Sequence, residues 1–230
     1  MTTCWWLDLP QTEYGQALDL QLAIVDAKTS GRLDPDVVLS VEHPRVFTLG
    51  RRGGRENLCV TDSFLTEKGV SVVPTDRGGN ITYHGPGQLV VYPIVHLGRR
   101  RFKVVDFVSG LEQAMIRTAA HWGIPAGTDP ANRGVWLNGD KLGSIGITVR
   151  RGVSFHGLAL NVNTDMEPFG WINPCGLNQV RMTSFERRLG RLVPMGEVRQ
   201  VMAENLAAIL GLKLATVTLA QLYEEIECEA

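Results

Sequence analysis

The sequence predicts an α+β fold: a mixed, mostly antiparallel sheet flanked by helices. Three observations predict it. Strand-like runs come in clusters joined by tight turns, helix-like runs fall between the clusters, and no regular strand–helix–strand alternation runs the length of the chain. The 230 residues are 44% hydrophobic and 20% charged, an ordinary globular composition long enough to bury a sizeable core. We expect one domain over 1–230, in which 190–230 could form a small C-terminal subdomain.

The elements follow in order. "WWLDL" reads as a short strand, and Tyr14 to Lys28, rich in Ala, Leu and Gln, as a helix ending before "TSG". "VVLSVE" and "VFTLG" read as strands on either side of His43-Pro44, and "VSVVPT" as another. Val104 to Trp122 is the clearest helix: Val104, Val108, Leu111, Met115, Ala119 and Trp122 recur at steps of three and four, forming one apolar stripe. Gly134 to Val162 reads as two or three strands with a hairpin turn at Asn138-Gly139. Val198–Leu210 and Leu219–Glu227 read as closing helices around the strand "LKLATVT".

The formal net charge of −1 gives no sign of a nucleic-acid or membrane surface. No apolar run approaches the roughly 20 residues of a membrane span, and no secretory leader is expected. Cys4, Cys59, Cys175 and Cys228 are scattered without a C-x-x-C pair, and no two histidines have ligand spacing. We therefore expect no metal, no disulfide framework, and a reducing cytoplasm.

Four stretches carry candidate chemistry. In "RGGNITYHGPGQLVVYP", Arg77 to Pro93, glycines bracket a strand in which Ile81 and Tyr83 point to one face and Thr82 and His84 to the other. Two turns flanking an edge strand and a low-bulk ligand groove both fit. The stretch is neither a P-loop nor G-x-G-x-x-G. In "GDKLGSIG", Lys141 follows the hairpin turn. A solvated lysine is one reading; a desolvated lysine that exchanges a proton is the other. In "NPCGL", Cys175 sits on a Pro/Gly-bracketed loop, and a thiolate beside an ammonium is an activated nucleophile. In "FHGLALN", His156 reads as a satisfied turn histidine, whereas His43 could line a groove mouth.

Together, "RGGNITYHGPGQLVVYP", "GVWLNGDKLGSIGI", "HGLALNVNTD" and "INPCGL" resemble, in order and spacing, the lipoyl(octanoyl) transferases of lipoate biosynthesis, from about Tyr14 to Thr183. The resemblance implies a fold similar to the catalytic domain of biotin protein ligases and lipoate ligases. It also implies transfer of an octanoyl group from octanoyl-acyl carrier protein to a lysine of lipoyl domains. The acceptors would be 2-oxoacid dehydrogenase E2 subunits and the glycine-cleavage H protein. The implied route is a Cys175 thioester tuned by Lys141, with ping-pong kinetics and no cofactor. Implied substrate contacts are Arg77, Gly78, Gly79, Asn80, Ile81, Thr82, Tyr83 and His84, then Ser144, Ile145 and Gly146, then Gly157, Leu158 and Ala159. The acyl carrier is acidic, and Arg99–Arg101 with Lys103 is one basic cluster that could dock it; Gly50–Glu56 could be a mobile basic loop at the groove mouth. An ATP-dependent ligase is the main rival, with a non-catalytic carrier-binding protein and a cysteine hydrolase behind it.

Overall fold

A computed structural model describes residues 3–173 and 180–227. The Cys175 prediction falls outside the described residues. Among those described, the strands form an eight-stranded sheet and a three-stranded sheet. The large sheet is mixed, ordered β11-β1-β2-β6-β10-β9-β8-β7. Its strands are β1 (Thr3–Asp8), β2 (Asp36–Val41), β6 (Gln88–Ile94), β7 (Gly127–Thr128), β8 (Val135–Leu137), β9 (Asp140–Arg150), β10 (Val153–Asn161) and β11 (Lys213–Thr216). β1 runs parallel to β2 and β11, and the remaining pairs are antiparallel. The parallel start is one strand–helix–strand unit through α1 (Tyr14–Ser30), which the pattern of alternation did not announce.

Each face of the sheet is covered because its strands are apolar on both sides. One face packs on α4 (Val104–His121) and α6 (Met195–Leu210), burying Phe107, Leu111, Met115, Val198, Met202 and Leu206. A large apolar side chain fully buried in this way contributes about 1.5–3 kcal/mol. The α4 stripe is rotated from the expected one. Val104 is 47% exposed, and Phe107 is buried in its stead. The opposite face packs on α1 and α7 (Leu219–Glu227), around Ile24, Val25 and Leu222.

The strands flanking the glycine-rich stretch do not join the large sheet. β3 (Val46–Leu49), β4 (Ser71–Pro74) and β5 (Ile81–His84) form their own small sheet, ordered β4-β3-β5. A third core closes it: Phe47 and Tyr83 pack with Phe169, Trp171 and Leu65 of α2 (Asp62–Glu67). The short helices α3 (Leu97–Arg100) and α5 (Phe185–Leu189) punctuate the remaining connections. No helix among the described residues is long and apolar enough to cross a membrane.

Candidate active site

A cavity of about 570 Å³ opens where the small sheet lies over β9, β10 and β6. Its walls are built from two registers. On β10, Gly157 faces Gly146 and Ala159 faces Ser144 of β9, while Ala159 faces Val90 of β6. Above them pass Arg77 to Asn80 and β5. Arg77, Gly78, Gly79, Asn80, Ile81, Thr82, His84, Lys141, Ser144, Ile145, Gly146, Gly157, Leu158 and Ala159 all line the cavity. Tyr83 does not. Its ring packs onto Phe47 and Phe169, so it supports the small sheet instead.

The glycines of this stretch answer to close approach. Gly78 N donates to Ile147 O at 3.2 Å, which seats the turn directly on β9. A Cβ on Gly146 would stand 2.7 Å from Gly78 O, so the two backbones touch only because position 146 has no side chain. Gly79, at φ +95°, then reverses the chain into β5. Arg77 is 8% exposed and ties this turn to β3: Nε donates to Thr48 Oγ1 at 3.0 Å and Nη2 to Thr48 O at 2.6 Å. The Gly50–Glu56 loop lies at the mouth, where Arg52 lines the cavity. Its backbone N–H groups at 50, 51 and 52 donate to the carbonyls of Asn80, Arg77 and Gly79.

Lys141 enters from the start of β9. Its N–H donates to Arg181 O at 2.8 Å and its carbonyl accepts from Thr183 N at 2.9 Å, which brings 181–183 alongside. The ammonium lies 5.2 Å from the Trp136 ring centroid. Trp136 is held in turn, with Nε1 donating to Asn132 O at 3.2 Å. The loop carrying Asn132 is anchored by buried Glu112 of α4, which accepts from Gly134 N at 3.0 Å and pairs with Arg133 at 3.2 Å. The lining carries Arg52, Arg77, Arg133 and Lys141, and no carboxylate among the described residues.

At the other end sits a group that sequence reasoning missed. Tyr14, Tyr92 and His156 line the cavity with His84. His156 is buried in β10 at φ +55°, and its N–H donates to Gln21 Oε1 of α1 at 2.8 Å. Its Nε2 lies 2.8 Å from Asp76 Oδ1, and a carboxylate only accepts, so Nε2 holds the proton and Nδ1 faces the Tyr14 hydroxyl at 3.4 Å. His84 Nδ1 donates to Gln88 Oε1 at 2.7 Å, leaving Nε2 toward Thr48 Oγ1. His43, expected at the groove mouth, is instead fully buried behind the lining, between Thr12 O and the Tyr92 hydroxyl. Burial pushes the pKa of all three histidines down, His43 to about 4. His156 looked like a turn residue because its partners lie 80 to 142 positions away. The Arg99–Arg101 cluster lies outside this lining: Arg100 bonds buried Asp36 at 2.7 Å and Arg99 pairs with Asp34.

A small sheet clamped over a glycine-walled slot, with a lysine at one end, defines a class. It is the catalytic-domain fold shared by lipoate and biotin protein ligases. An archaeal bipartite lipoate protein ligase from Thermoplasma acidophilum superposes with a TM-score of 0.76 at 15% identity, covering 98% of this chain and 91% of its own. Biotin protein ligase from Aquifex aeolicus superposes with a TM-score of 0.55 at 10% identity, covering 92% of this chain and 70% of its own. Residues 13–207 match the family model described as lipoyl protein ligase A/B catalytic domain. An octanoyltransferase from Desulfotalea psychrophila is 48% identical over 207 residues, 89% of this chain and 93% of that protein. One from Syntrophobacter fumaroxidans is 46% identical over 87% of each chain. The chain belongs to the lipoyl protein ligase A/B catalytic domain family and, within it, to the octanoyltransferases of lipoate biosynthesis. Its activity is octanoyl transfer in protein lipoylation.

Proposed function

We propose that the protein moves an octanoyl group from octanoyl-acyl carrier protein to a lysine of lipoyl domains, through a thioester on Cys175. The acceptors are 2-oxoacid dehydrogenase E2 subunits and the glycine-cleavage H protein, and the reaction takes place in the cytoplasm. The observation that carries this reading is the position of Lys141. It lines the same cavity as Ile172 and Val180, which precede and follow Cys175 in the chain.

The chemistry follows from those two groups. The Lys141 ammonium favours the Cys175 thiolate by charge. The thiolate attacks the octanoyl thioester carbon, and backbone N–H groups lining the slot stabilise the oxyanion. The carbon–sulfur bond to the carrier breaks as Lys141 gives the departing thiolate a proton. The acceptor amine then attacks the acyl-enzyme. Lys141, now neutral, takes its proton, and the Cys175 thiolate is released. One amide replaces one thioester, a downhill exchange that requires no ATP and no cofactor. The positive lining suits the phosphodiester of the donor's arm, and Arg52 and Arg133 at the mouth suit an acidic carrier.

The rival on this fold is ATP-dependent activation of a free acid. The test separates them. Octanoyl-acyl carrier protein and a lipoyl domain, without ATP, should yield the octanoyl amide, and Lys141→Ala should abolish it. Amide formed from octanoate and ATP, with none from the carrier thioester, would transfer the assignment to the ligase.

A further inference from the structure

We infer that Tyr14, braced by His156 and His84, is the stop at the end of the acyl slot and limits the length of the transferred chain. The inference rests on the function proposed above, which places the acyl carbonyl beside Lys141.

The register puts Tyr14 far from Lys141. Lys141 is the second residue of β9, and Gly146 lies five residues on, about 16 Å at strand rise. His156, which meets the Tyr14 hydroxyl, faces Ile147, one residue further. Val90, Ala159, Ile81 and Gly157 supply apolar or bare wall to the slot. At Gly146 the wall closes against Gly78.

Beyond that seam stands the Tyr14 ring, 3% exposed. It stacks on His84 with centroids 5.8 Å apart and planes at 15°. Its hydroxyl meets His156 Nδ1, and His156 is fixed by Asp76 on one side and by Gln21 of α1 on the other. Up to the stop, each added methylene trades water for an apolar wall, about fourfold in affinity. One more must displace the buried ring and break the contact of its hydroxyl with His156. Because Tyr14 is the first residue of α1, trimming its ring removes the stop without disturbing the interior of the helix.

The experiment measures kcat/KM for hexanoyl, octanoyl, decanoyl and dodecanoyl thioesters of acyl carrier protein, with a lipoyl domain as acceptor. The proteins are the full-length chain, Tyr14→Ala, the milder Tyr14→Leu, and Ala159→Leu, with folding checked by melting. The native chain should gain about 15-fold from hexanoyl to octanoyl and lose it at decanoyl. Tyr14→Ala should invert the decanoyl-to-octanoyl ratio by at least tenfold, and Tyr14→Leu by less. Ala159→Leu, which fills the slot midway, should move the optimum to hexanoyl. Product with an optimum unmoved in the Tyr14 variants overturns the stop while leaving the transferase standing, and so does a shift produced by Met182→Ala at the Lys141 end. No product with any chain in the native protein would take down the proposed function and the stop together.

Discussion

Each of the three histidines beside the cavity donates one hydrogen bond and accepts one, an arrangement that fits the neutral imidazole. His43 is the deepest, with its pKa lowered from 6.5 to about 4 by burial. Between those two values the unfolded chain takes up a proton that the native chain refuses, so stability falls as pH drops from about 6.5 toward 4. For His43 the loss is about 3 kcal/mol, and His84 and His156 act in the same direction. The midpoint of thermal unfolding should therefore fall on acidification, and His43→Gln should flatten that fall by the equivalent of one proton. An equal slope in both proteins would show that His43 titrates as freely in the native state as in the unfolded one. Lys141 and the glycines were legible as candidates, since turn chemistry and strand-breaking are local signals. Tyr14, Tyr92 and His156 were not: each is ordinary in its own window and becomes part of the cavity only when α1, β6 and β10 converge.

At the scale of elements, the glycine-rich turn on β9 is the joint on which the slot depends. Gly146→Ala places a methyl 2.7 Å from a backbone carbonyl that cannot swing aside. Overpacking of this kind costs about 1–3 kcal/mol. We expect the chain to fold with a lowered melting temperature and octanoyl transfer to fall at least tenfold, because the turn carrying Arg77 to Asn80 is lifted off β9. Unchanged transfer in a stable Gly146→Ala protein would mean the seam does not shape the site. Most strands and the three long helices α1, α4 and α6 could be read from composition and apolar spacing, which is set by whichever face each element buries. The partition into two sheets could not, because β5 and β6 are separated only by Gly85-Pro86-Gly87 and both look like strands of one hairpin. The first turn of α4 misled for a related reason: a helical stripe gives spacing, but tertiary packing decides which residue is covered, here Phe107 and not Val104.

At the scale of the whole molecule, we propose that 1–230 folds as one unit, with residues beyond 190 belonging to the catalytic domain. α6 buries Val198, Met202 and Leu206 against α4, and β11 extends the large sheet beside β1. A chain ending at Gly190 would expose that face and should show no cooperative melting. If it melted sharply and retained transfer, the last 40 residues would be dispensable. The central claim concerns the chemistry at Cys175 and Lys141, and one measurement tests it most directly: intact mass of the full-length protein after mixing with octanoyl-acyl carrier protein, followed by peptide mapping. The account predicts one added octanoyl group on Cys175, discharged when a lipoyl domain is supplied. Amide product forming with no adduct at any time on Cys175 would contradict it.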